Sequence, residues 1–289
     1  MVSLRSVNAT QTAPKLTVVV PTRNERANVG ACLAAFREAV ARGDVECVVV
    51  DNASPDGTSD LAREAGARVF SQGPERCAQR NRGFREAAAP WVMFVDADMR
   101  VPPGTLAEIL GRIAAGGVDA LYVREKRVGT GWRTKARDFE RGFYDGTCID
   151  GLRVFRKTLL EETGGYDESL FACEDWDLDR RVLAAGARTA VTDGALLHDE
   201  RRLSLRALLR KKRYYAGSFG AYRRKWGNDA TTRRQFGFRY RFFGVFLENG
   251  KWRRVLRHPF LFATVMAERV AVGFVFLFAR GGARRNAND

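Results

Sequence analysis

Short apolar runs alternate with segments of helical periodicity along the first hundred residues of this 289-residue chain. The runs at residues 16–20, 47–50 and 91–95 are four or five residues long, and each stops at a proline or an aspartate. Continuous apolar runs of this length are typical of parallel strands that are buried on both faces. Apolar residues recur at helical spacing in segment 27–41, and a further helix is predicted at 79–88. Strands that alternate with helices predict an α/β fold with a doubly wound, mostly parallel sheet.

Polar and acidic side chains follow these runs, at the positions where the predicted strands end. Parallel sheets bind ligands beyond the carboxyl ends of their strands, so these side chains form a candidate ligand rim. Among them are Pro21, Thr22, Asn24, Glu25, Asp51, Asp96 and Asp98. The first strand is followed neither by Gly-x-Gly-x-x-Gly nor by Gly-x-x-x-x-Gly-Lys, the loops that bind nucleotide phosphates through the backbone. A nucleotide at this rim would therefore be bound by side chains and a metal.

The strongest chemical signal in the rim is the pair Asp96 and Asp98, which comes directly after the run at 91–95. Two acids spaced i, i+2 can face one site only where a strand has ended and the backbone turns. One or two carboxylates together with substrate phosphates are the usual ligands of Mg²⁺ in proteins, and Mn²⁺ accepts the same oxygen ligands. The pair therefore predicts a metal-bound diphosphate. The alternative is that both acids cap a turn before Pro102.

The charge of the chain is concentrated in its last 89 residues. Residues 201–289 contain 22 lysines and arginines but four acids, a net charge of +18, whereas the preceding residues carry −3. The same segment contains 17 of the 31 aromatic residues. Basic and aromatic residues together suit either lipid headgroups or single-stranded nucleic acid. No nucleic-acid-binding motif is legible, so a membrane surface is the predicted partner and no specific nucleic acid is expected.

Two parts of this basic segment have an apolar side. In the first, Leu203, Leu205, Leu208, Leu209, Tyr215, Phe219 and Tyr222 lie opposite a run of basic residues at 210–213 and 223–225, which predicts an interfacial helix. In the second, residues 260–279 would just span a bilayer, but Glu268 and Arg269 interrupt the middle. We therefore predict a monotopic or re-entrant helix with Arg253, Arg254 and Arg257 at the headgroups. The alternatives are a helix packed on the catalytic domain or a dimer interface.

Six motifs in a fixed order resemble those of family-two glycosyltransferases with the GT-A fold. They are residues 18–25 (VVVPTRNE), 50–58 (VDNASPDGT), 80–83 (RNRG), 94–98 (FVDAD), 164–168 (GGYDE) and 174–178 (EDWDL). The resemblance covers roughly residues 15–200. It implies a Rossmann-like, mostly parallel sheet flanked by helices, with the basic helical segment as a C-terminal extension. It also implies an inverting enzyme that uses Mn²⁺ or Mg²⁺ and a UDP- or GDP-linked sugar as donor.

The resemblance assigns the donor side of the site. It places Asp51 at the imide hydrogen of a uracil-like base, although Asn52 stands where the family usually has a second aspartate. Arg80 is matched to phosphate oxygens or a pyrimidine carbonyl, Asp96 to the ribose or the waters of the metal, and Asp98 to the metal itself. His198 would complete the metal site. Each residue also has an ordinary alternative: a turn for Asp51, a solvated helix position for Arg80, and a structural role for His198.

The resemblance also places the general base in the Glu174-Asp175 pair, and Asp175 is the residue we predict for that role. Inversion requires a carboxylate that takes the proton of the acceptor hydroxyl as it attacks the anomeric carbon. The alternative is that these acids simply favour the first turn of a helix. The Gln-x-x-Arg-Trp motif of processive members is missing, which implies the transfer of one sugar per event.

These predictions divide the chain into three parts. Residues 1–14 form a disordered lead-in, 15–200 a catalytic domain with a donor half (15–100) and an acceptor half (101–200), and 201–289 the basic extension.

Five scattered cysteines without a ligand pattern predict reduced thiols, and hence a cytoplasmic protein at the inner face of the membrane. A saccharide or a lipid-linked molecule is the expected acceptor. A retaining transferase, a sugar nucleotidyltransferase and a nucleic-acid-binding protein remain the alternative functions.

Overall fold

The structure is a computed structural model that describes residues 13–199 and 218–285, with side chains as far as residue 273. An eight-stranded sheet forms its centre, with helices on both faces. The strands are β1 (Leu16–Thr22), β2 (Val45–Asp51), β3 (Arg68–Ser71), β4 (Trp91–Phe94), β5 (Met99–Arg100), β6 (Ala120–Val128), β7 (Leu152–Arg156) and β8 (Thr189–Asp199). The helices up to β8 are α1 (Arg26–Ala34), α2 (Arg37–Ala41), α3 (Thr58–Glu64), α4 (Arg76–Glu86), α5 (Pro103–Ala115), α6 (Trp132–Arg141), α7 (Lys157–Thr163) and α8 (Glu174–Ala184). The predicted α/β fold is confirmed.

The strand order explains how the rim is assembled. The order is β3-β2-β1-β4-β7-β6-β8-β5, and β1 to β4 are mutually parallel. In the other half, β7 runs antiparallel to both β4 and β6, while β8 is parallel to β6. Thr22 at the end of β1 is the register partner of Asp51 at the end of β2. The acids that follow β4 therefore lie at the same edge of the sheet as these two residues.

Side chains of the central strands alternate between two cores, one on each face of the sheet. Val18 and Val20 pack against α1, α3 and α5, whereas Val19 packs in the opposite core with α4, α7 and α8. Arg80 lies on α4 and Asp175 lies in the first turn of α8, so both residues are on the same face of the sheet. Cys32, Cys47 and Cys77 are buried within these cores as free thiols, in agreement with the sequence prediction.

One predicted element differs from the structure, because the helix predicted at 27–41 is divided into α1 and α2, with a turn at the buried Phe36. Two further elements lie in charged parts of the sequence. Segment 124–145 contains the outer half of β6 and helix α6, and β8 continues to Asp199. The strands β6 and β8 pair along 120–128 and 189–199, and this pairing overrides the weak local preference of charged residues.

The described part of the C-terminal extension packs on the catalytic domain. It contains residues 218–226 in a helix, then Ala230–Phe236, a π-helical turn Tyr240–Gly244, Val245–Leu247, a 3₁₀ turn Glu248–Gly250, and the helices Trp252–Arg257 and Pro259–Arg285. Tyr240, Val245, Phe246 and Val265 share a core with Ala136, Phe139, Phe143 and Ile149.

The interfacial helix predicted from residues 203–225 is only partly described. Residues 1–12 and the predicted apolar positions from Leu203 to Tyr215 lie outside the described residues. Tyr222, predicted on the apolar side of that helix, is buried in the protein and donates a hydrogen bond from its hydroxyl to Gln235. Lys225, predicted on the polar side, forms ion pairs with Asp167 and Asp177. These two positions of the predicted helix therefore face the catalytic domain.

The long helix Pro259–Arg285 contacts α6 through the charges that interrupt its apolar sequence. Glu268 pairs with Arg133 at 2.9 Å, and Arg269 pairs with Glu140 at 2.7 Å. The described side chains of this helix thus match the alternative of a helix packed on the catalytic domain. Arg254, predicted at the headgroups, lies over the ring of Phe143. Among residues 13–199 and 218–285, none of the helices combines the length and the apolar character needed to cross a membrane.

Candidate active site

The predicted metal ligands Asp98 and His198 lie side by side. The pairing of Met99 in β5 with His198 in β8 brings them together, and Asp98 Oδ2 is 3.0 Å from His198 Nε2. Asp98 keeps 40% of its side chain exposed, so a substrate can reach it. Among the described residues, no group of three His, Cys, Asp or Glu side chains is arranged to hold a metal alone. One oxygen and one nitrogen ligand nevertheless fit a cation whose other ligands are diphosphate oxygens and water.

Asp96 faces away from this pair, toward two arginines. Its Oδ1 accepts a hydrogen bond from Arg80 Nη2 at 3.2 Å, and its Oδ2 lies 3.6 Å from Arg153 Nη1. Burial by itself would raise the pKa of Asp96, but the two guanidinium groups outweigh burial and hold that pKa far below its usual range. Asp96 is therefore a charged anchor for the loop that carries Asp98.

The same arginine reaches the predicted general base. Arg80 is 1% exposed, and its Nη1 donates to Asp175 Oδ1 at 3.1 Å while its Nη2 binds Asp96. Glu174 Oε1 is 3.6 Å from Nη1. Arg80 thus lies between Asp96, in the loop that follows β4, and the two acids of α8. This burial excludes the alternative of a solvated helix position, and the guanidinium hydrogen bonds in this structure go to protein carboxylates.

The two neighbouring acids of α8 differ in access. Glu174 is buried between Arg76 and Arg80, and burial together with the charge of Asp175 raises its pKa above the usual value. The side chain of Asp175 is 31% exposed. Cys173 precedes them with φ +64°, a left-handed conformation that is uncommon for a residue other than glycine. Of the two acids, Asp175 is the one that an acceptor can reach.

The motif at 164–168 contacts Arg80 through the ring of Tyr166. The ring of Tyr166 lies 5.0 Å from the Arg80 guanidinium carbon, a cation–π arrangement. Asn81, the next residue on α4, donates to the carbonyl of Tyr166 and accepts from its N–H. Gly165 has φ +69°, and a Cβ there would lie 2.5 Å from the Asn81 side chain. This close approach and the positive φ explain why a glycine directly precedes the tyrosine.

The remaining rim residues form a hydrogen-bonded edge. Asp51 accepts from Thr22 Oγ1 at 2.7 Å, Ser54 Oγ at 2.6 Å and Ser54 N at 2.8 Å. Burial opposes ionisation of Asp51, yet these hydrogen bonds lower its pKa overall. The contacts fit the turn role that the sequence left open for Asp51, and the ionised carboxylate remains an acceptor at the rim. Pro21 is buried beside Val50, its partner in β2.

Asn24 and Glu25 continue this edge on the side of the loop that carries Asp96 and Asp98. The N–H of Asn24 donates to Ser54 Oγ at 2.8 Å, and the N–H of Glu25 donates to Thr58 Oγ1 at 2.9 Å. Burial raises the pKa of Glu25, and the negative charges of Asp98 and Asp96 raise it further. The rim thus links β1 to β2 and to the start of α3, and Glu25 is the rim residue whose pKa responds to Asp96 and Asp98.

The comparisons with known proteins agree with this geometry. Residues 17–164, about half of the chain, match the sequence pattern of Glycosyl transferase family 2. The chain belongs to this family. Among its relatives, the Pre-mycofactocin glycosyltransferase of Mycobacterium tuberculosis is 26% identical over 225 residues, which cover 70% of this chain and 46% of the relative. The Succinoglycan biosynthesis protein ExoA of Rhizobium meliloti is 27% identical, with 61% of this chain and 60% of that protein covered. The chain thus spans about half the length of the first relative.

Solved structures of similar shape are GT-A glycosyltransferases, and they confirm the predicted fold. The mannosyltransferase PcManGT of Pyrobaculum calidifontis, in complex with GDP-Man and Mn²⁺, has a TM-score of 0.59 at 22% identity. That match covers 94% of this chain and 81% of PcManGT. TarS (residues 1–349) of S. aureus in complex with UDP has a TM-score of 0.55 at 21% identity, with 89% and 82% of the two chains covered.

Sequence reasoning missed the second arginine of this family-two site. Arg153 of β7 lies between Asp96 and Glu125, and its Nη2 is 2.6 Å from Glu125 Oε1. Arg141 of α6 continues the network, 3.2 Å from Glu125 and 2.7 Å from Asp150. The signal that could have revealed Arg153 is its position inside the apolar strand run at 152–156, where a charged residue requires a buried partner.

Replacing Arg80 tests whether its guanidinium organises this cluster. Arg80→Met removes the cation shared by Asp96, Asp175 and Glu174, so we expect the free energy of unfolding at pH 7 to fall by about 3–5 kcal/mol. Because Asp96 has a lowered pKa in the folded protein, its contribution is fully present above the usual pKa of an aspartate and is lost progressively as the pH falls from that value toward the folded pKa. The deficit should therefore be nearly unchanged between pH 7 and about pH 5 and smaller at about pH 3. Urea denaturation followed by circular dichroism measures both values.

The matched control for this experiment is Arg82→Met on the same helix. Arg82 is exposed and pairs with Glu86 one turn away. We expect a change within about 0.5 kcal/mol, as for most surface substitutions. Equal losses in the two variants would contradict the organising role of Arg80.

Proposed function

We propose that this family-two enzyme is metal-dependent and transfers one sugar from a UDP- or GDP-linked sugar, with inversion, to an acceptor hydroxyl or a lipid phosphate. The observation that carries the proposal is the shared guanidinium of Arg80, which binds Asp96 through one nitrogen and Asp175 through the other. The loop that would hold the donor diphosphate and the helix that carries the proposed base are thereby joined by a single buried side chain.

We propose that Asp51, Thr22, Pro21, Asn24 and Glu25 form the nucleotide side of the site. Asp98 and His198 would bind Mn²⁺ or Mg²⁺, and Asp96 would lie near the ribose or the waters of the metal. When bound, the metal would neutralise the charge that develops on the leaving diphosphate. Arg80 acts as a positioning residue, because its Nη1 binds Asp175 and its Nη2 binds Asp96.

The proposed chemistry at Asp175 is a proton transfer. Arg80 binds Oδ1 of this carboxylate, which leaves Oδ2 to take the proton of the acceptor hydroxyl. The hydroxyl oxygen forms a bond to the anomeric carbon of the sugar as the bond from that carbon to the diphosphate breaks. Gly151 supports the orientation, since a Cβ at that position would lie 3.0 Å from Asp175 Cβ. Glu174, which is buried and paired, helps to hold the positive charges of Arg76 and Arg80 beside the base.

Substitution of the two acids tests this mechanism. We expect Asp175→Asn to lower kcat by a factor of about 10² to 10⁴, because the amide cannot accept the proton. Asp98→Ala should abolish the response of activity to Mn²⁺. Transfer from a panel of UDP and GDP sugars, with and without Mn²⁺, measures both effects, and assignment of the product anomer by NMR separates inversion from retention.

The control for these assays is Asp60→Asn, which changes an exposed aspartate of α3. It should retain full activity. Activity that is indifferent to both Asp98→Ala and Asp175→Asn would refute the proposed mechanism.

We also propose that the protein binds the inner face of a membrane from the cytoplasm. Trp252, Leu256 and Phe260 are exposed large apolar side chains, of which Leu256 is 70% and Phe260 77% exposed. Arg253 and Arg257 are exposed on the helix Trp252–Arg257, which also carries Trp252 and Leu256. Exposed apolar residues with flanking arginines suit the boundary between acyl chains and anionic headgroups. This assignment of the membrane-facing surface rests on the described residues and is independent of the predicted segment 203–215.

Flotation with phosphatidylglycerol vesicles at moderate salt tests the membrane proposal. We expect the wild-type protein to float and the triple variant Trp252→Ser, Leu256→Ser, Phe260→Ser to stay at the bottom of the gradient, because apolar burial in the interface is lost. The double variant Val40→Ser, Leu183→Ser changes exposed apolar residues elsewhere and should float like the wild type. Flotation of the triple variant, or of neither protein, would contradict the proposal.

A further inference from the structure

A cavity of about 440 Å³ lies between the catalytic domain and the C-terminal extension. Helices α6 and α8 line one side, and helix Ala230–Phe236, the π-helical turn and the helix Pro259–Arg285 line the other. This volume is in the range of small-molecule sites. The extension therefore completes a binding cavity that the catalytic domain alone would leave open.

The cavity adjoins the reactive groups at two points. Trp176, one of its walls, is the residue that follows Asp175 on α8. Arg127, another wall, has its Nη1 3.4 Å from His198 Nδ1, whose other ring nitrogen lies beside Asp98. Two residues of the cavity wall are thus linked to the proposed reactive groups, Trp176 by its place beside Asp175 in the sequence and Arg127 by its contact with His198.

The cavity wall contains guanidinium groups that are suited to an anion. The side chain of Arg269 is 10% exposed; its Nε and Nη2 bind Glu140 and the Tyr144 hydroxyl, but its buried Nη1 has no hydrogen-bond partner among the described residues. Arg241 lies over the Tyr144 ring and forms no ion pair within the part of the chain that the structure describes. A buried donor without an acceptor is costly, so an anionic group beside Arg269 would be favoured.

The mouth of the cavity is aromatic. The rings of Phe238 and Phe242 both line it and stack on each other at 4.3 Å, and Phe238 is 63% exposed. An exposed aromatic side chain at the entrance to a cavity loses contact with water when an apolar group packs on it. Cationic and apolar contacts therefore lie together in one cavity.

We propose that this cavity is the acceptor site and that it binds an amphiphilic lipid anion, with a phosphate-type group at Arg269 and Arg241 and an apolar chain against Phe238 and Phe242. This inference rests on the proposed function, and it gives that function a defined acceptor class. The phosphate is then also the reacting group: one of its oxygens forms a bond to the anomeric carbon of the donor sugar as the bond from that carbon to the diphosphate breaks, and any proton that the phosphate carries passes to Asp175. The apolar chain leaves the cavity past Phe238 on the side of the extension.

Calorimetric titration of the full-length protein with farnesyl phosphate, below the concentration at which it forms micelles, tests the acceptor site. We expect saturable binding that is at least tenfold tighter than binding of farnesol or of inorganic phosphate, since each of these lacks one half of the ligand. Arg241→Gln should raise Kd about tenfold through the loss of a charge-assisted contact. Phe238→Ala should raise it severalfold. Both positions tolerate substitution because neither side chain is buried.

Matched controls change the same residue types outside the cavity. Arg239→Gln and Phe243→Ala alter exposed side chains of the same segment and should leave Kd within twofold of the wild type. Equal binding of farnesol or of inorganic phosphate, or equal effects of Arg239→Gln and Arg241→Gln, would overturn the acceptor assignment.

A parallel titration with UDP and GDP sugars in the presence of Mn²⁺ separates the two proposals. Donor binding without binding of farnesyl phosphate overturns the acceptor class and leaves the proposed transferase intact. Absence of donor binding refutes the proposed function itself.

Discussion

The architecture of the site depends on one buried cation. Arg80 is almost inaccessible to solvent, and its ionised state is maintained by the acids that surround it. A buried charge is stable only with partners, and each partner here comes from a different element: Asp96 from the loop after β4, and Asp175 from the start of α8. The two contacts that compensate the buried charge of Arg80 therefore also fix the distance between the two halves of the site. The ion pairs of Arg80 mainly fix the geometry of the site, since buried ion pairs add little net stability compared with a well-packed apolar core.

The network around Arg80 extends into the acceptor half of the chain. Arg153 connects Asp96 to Glu125, and Arg141 continues from Glu125 to Asp150, so alternating charges run from the metal loop to α6. Helix α6 is also where the C-terminal extension is bound, through Arg133 and Glu140. One connected set of ion pairs thus joins the rim, the proposed base and the wall of the cavity between α6 and the extension. The extension is therefore part of the site in the structure. Its positive charge alone had predicted a contact with a membrane.

The sequence predicted those features that depend on local pattern. Apolar runs at 16–20, 47–50 and 91–95 identified the central strands, because burial on both faces leaves a continuous apolar signature. The ends of these strands identified the rim. The family resemblance placed Asp98 and His198 together, and the pairing of β5 with β8 brings them side by side. The partners of Arg80, the length of β8 and the docking of Tyr222 and Glu268 were not predicted. Each of these features depends on contacts between residues that are far apart in the chain. Neither periodicity nor local composition predicts such contacts.

A crystal structure of the full-length protein with Mn²⁺ and an intact UDP- or GDP-linked sugar is the most direct test of the site that Arg80 organises. We expect anomalous density for manganese at Asp98 and His198, with the diphosphate bound to the metal. We also expect the anomeric carbon to face Asp175 while Arg80 retains its contacts to both Asp96 and Asp175. A donor bound with its sugar on the other side of the loop that carries Asp98, out of reach of Asp175, would refute this arrangement.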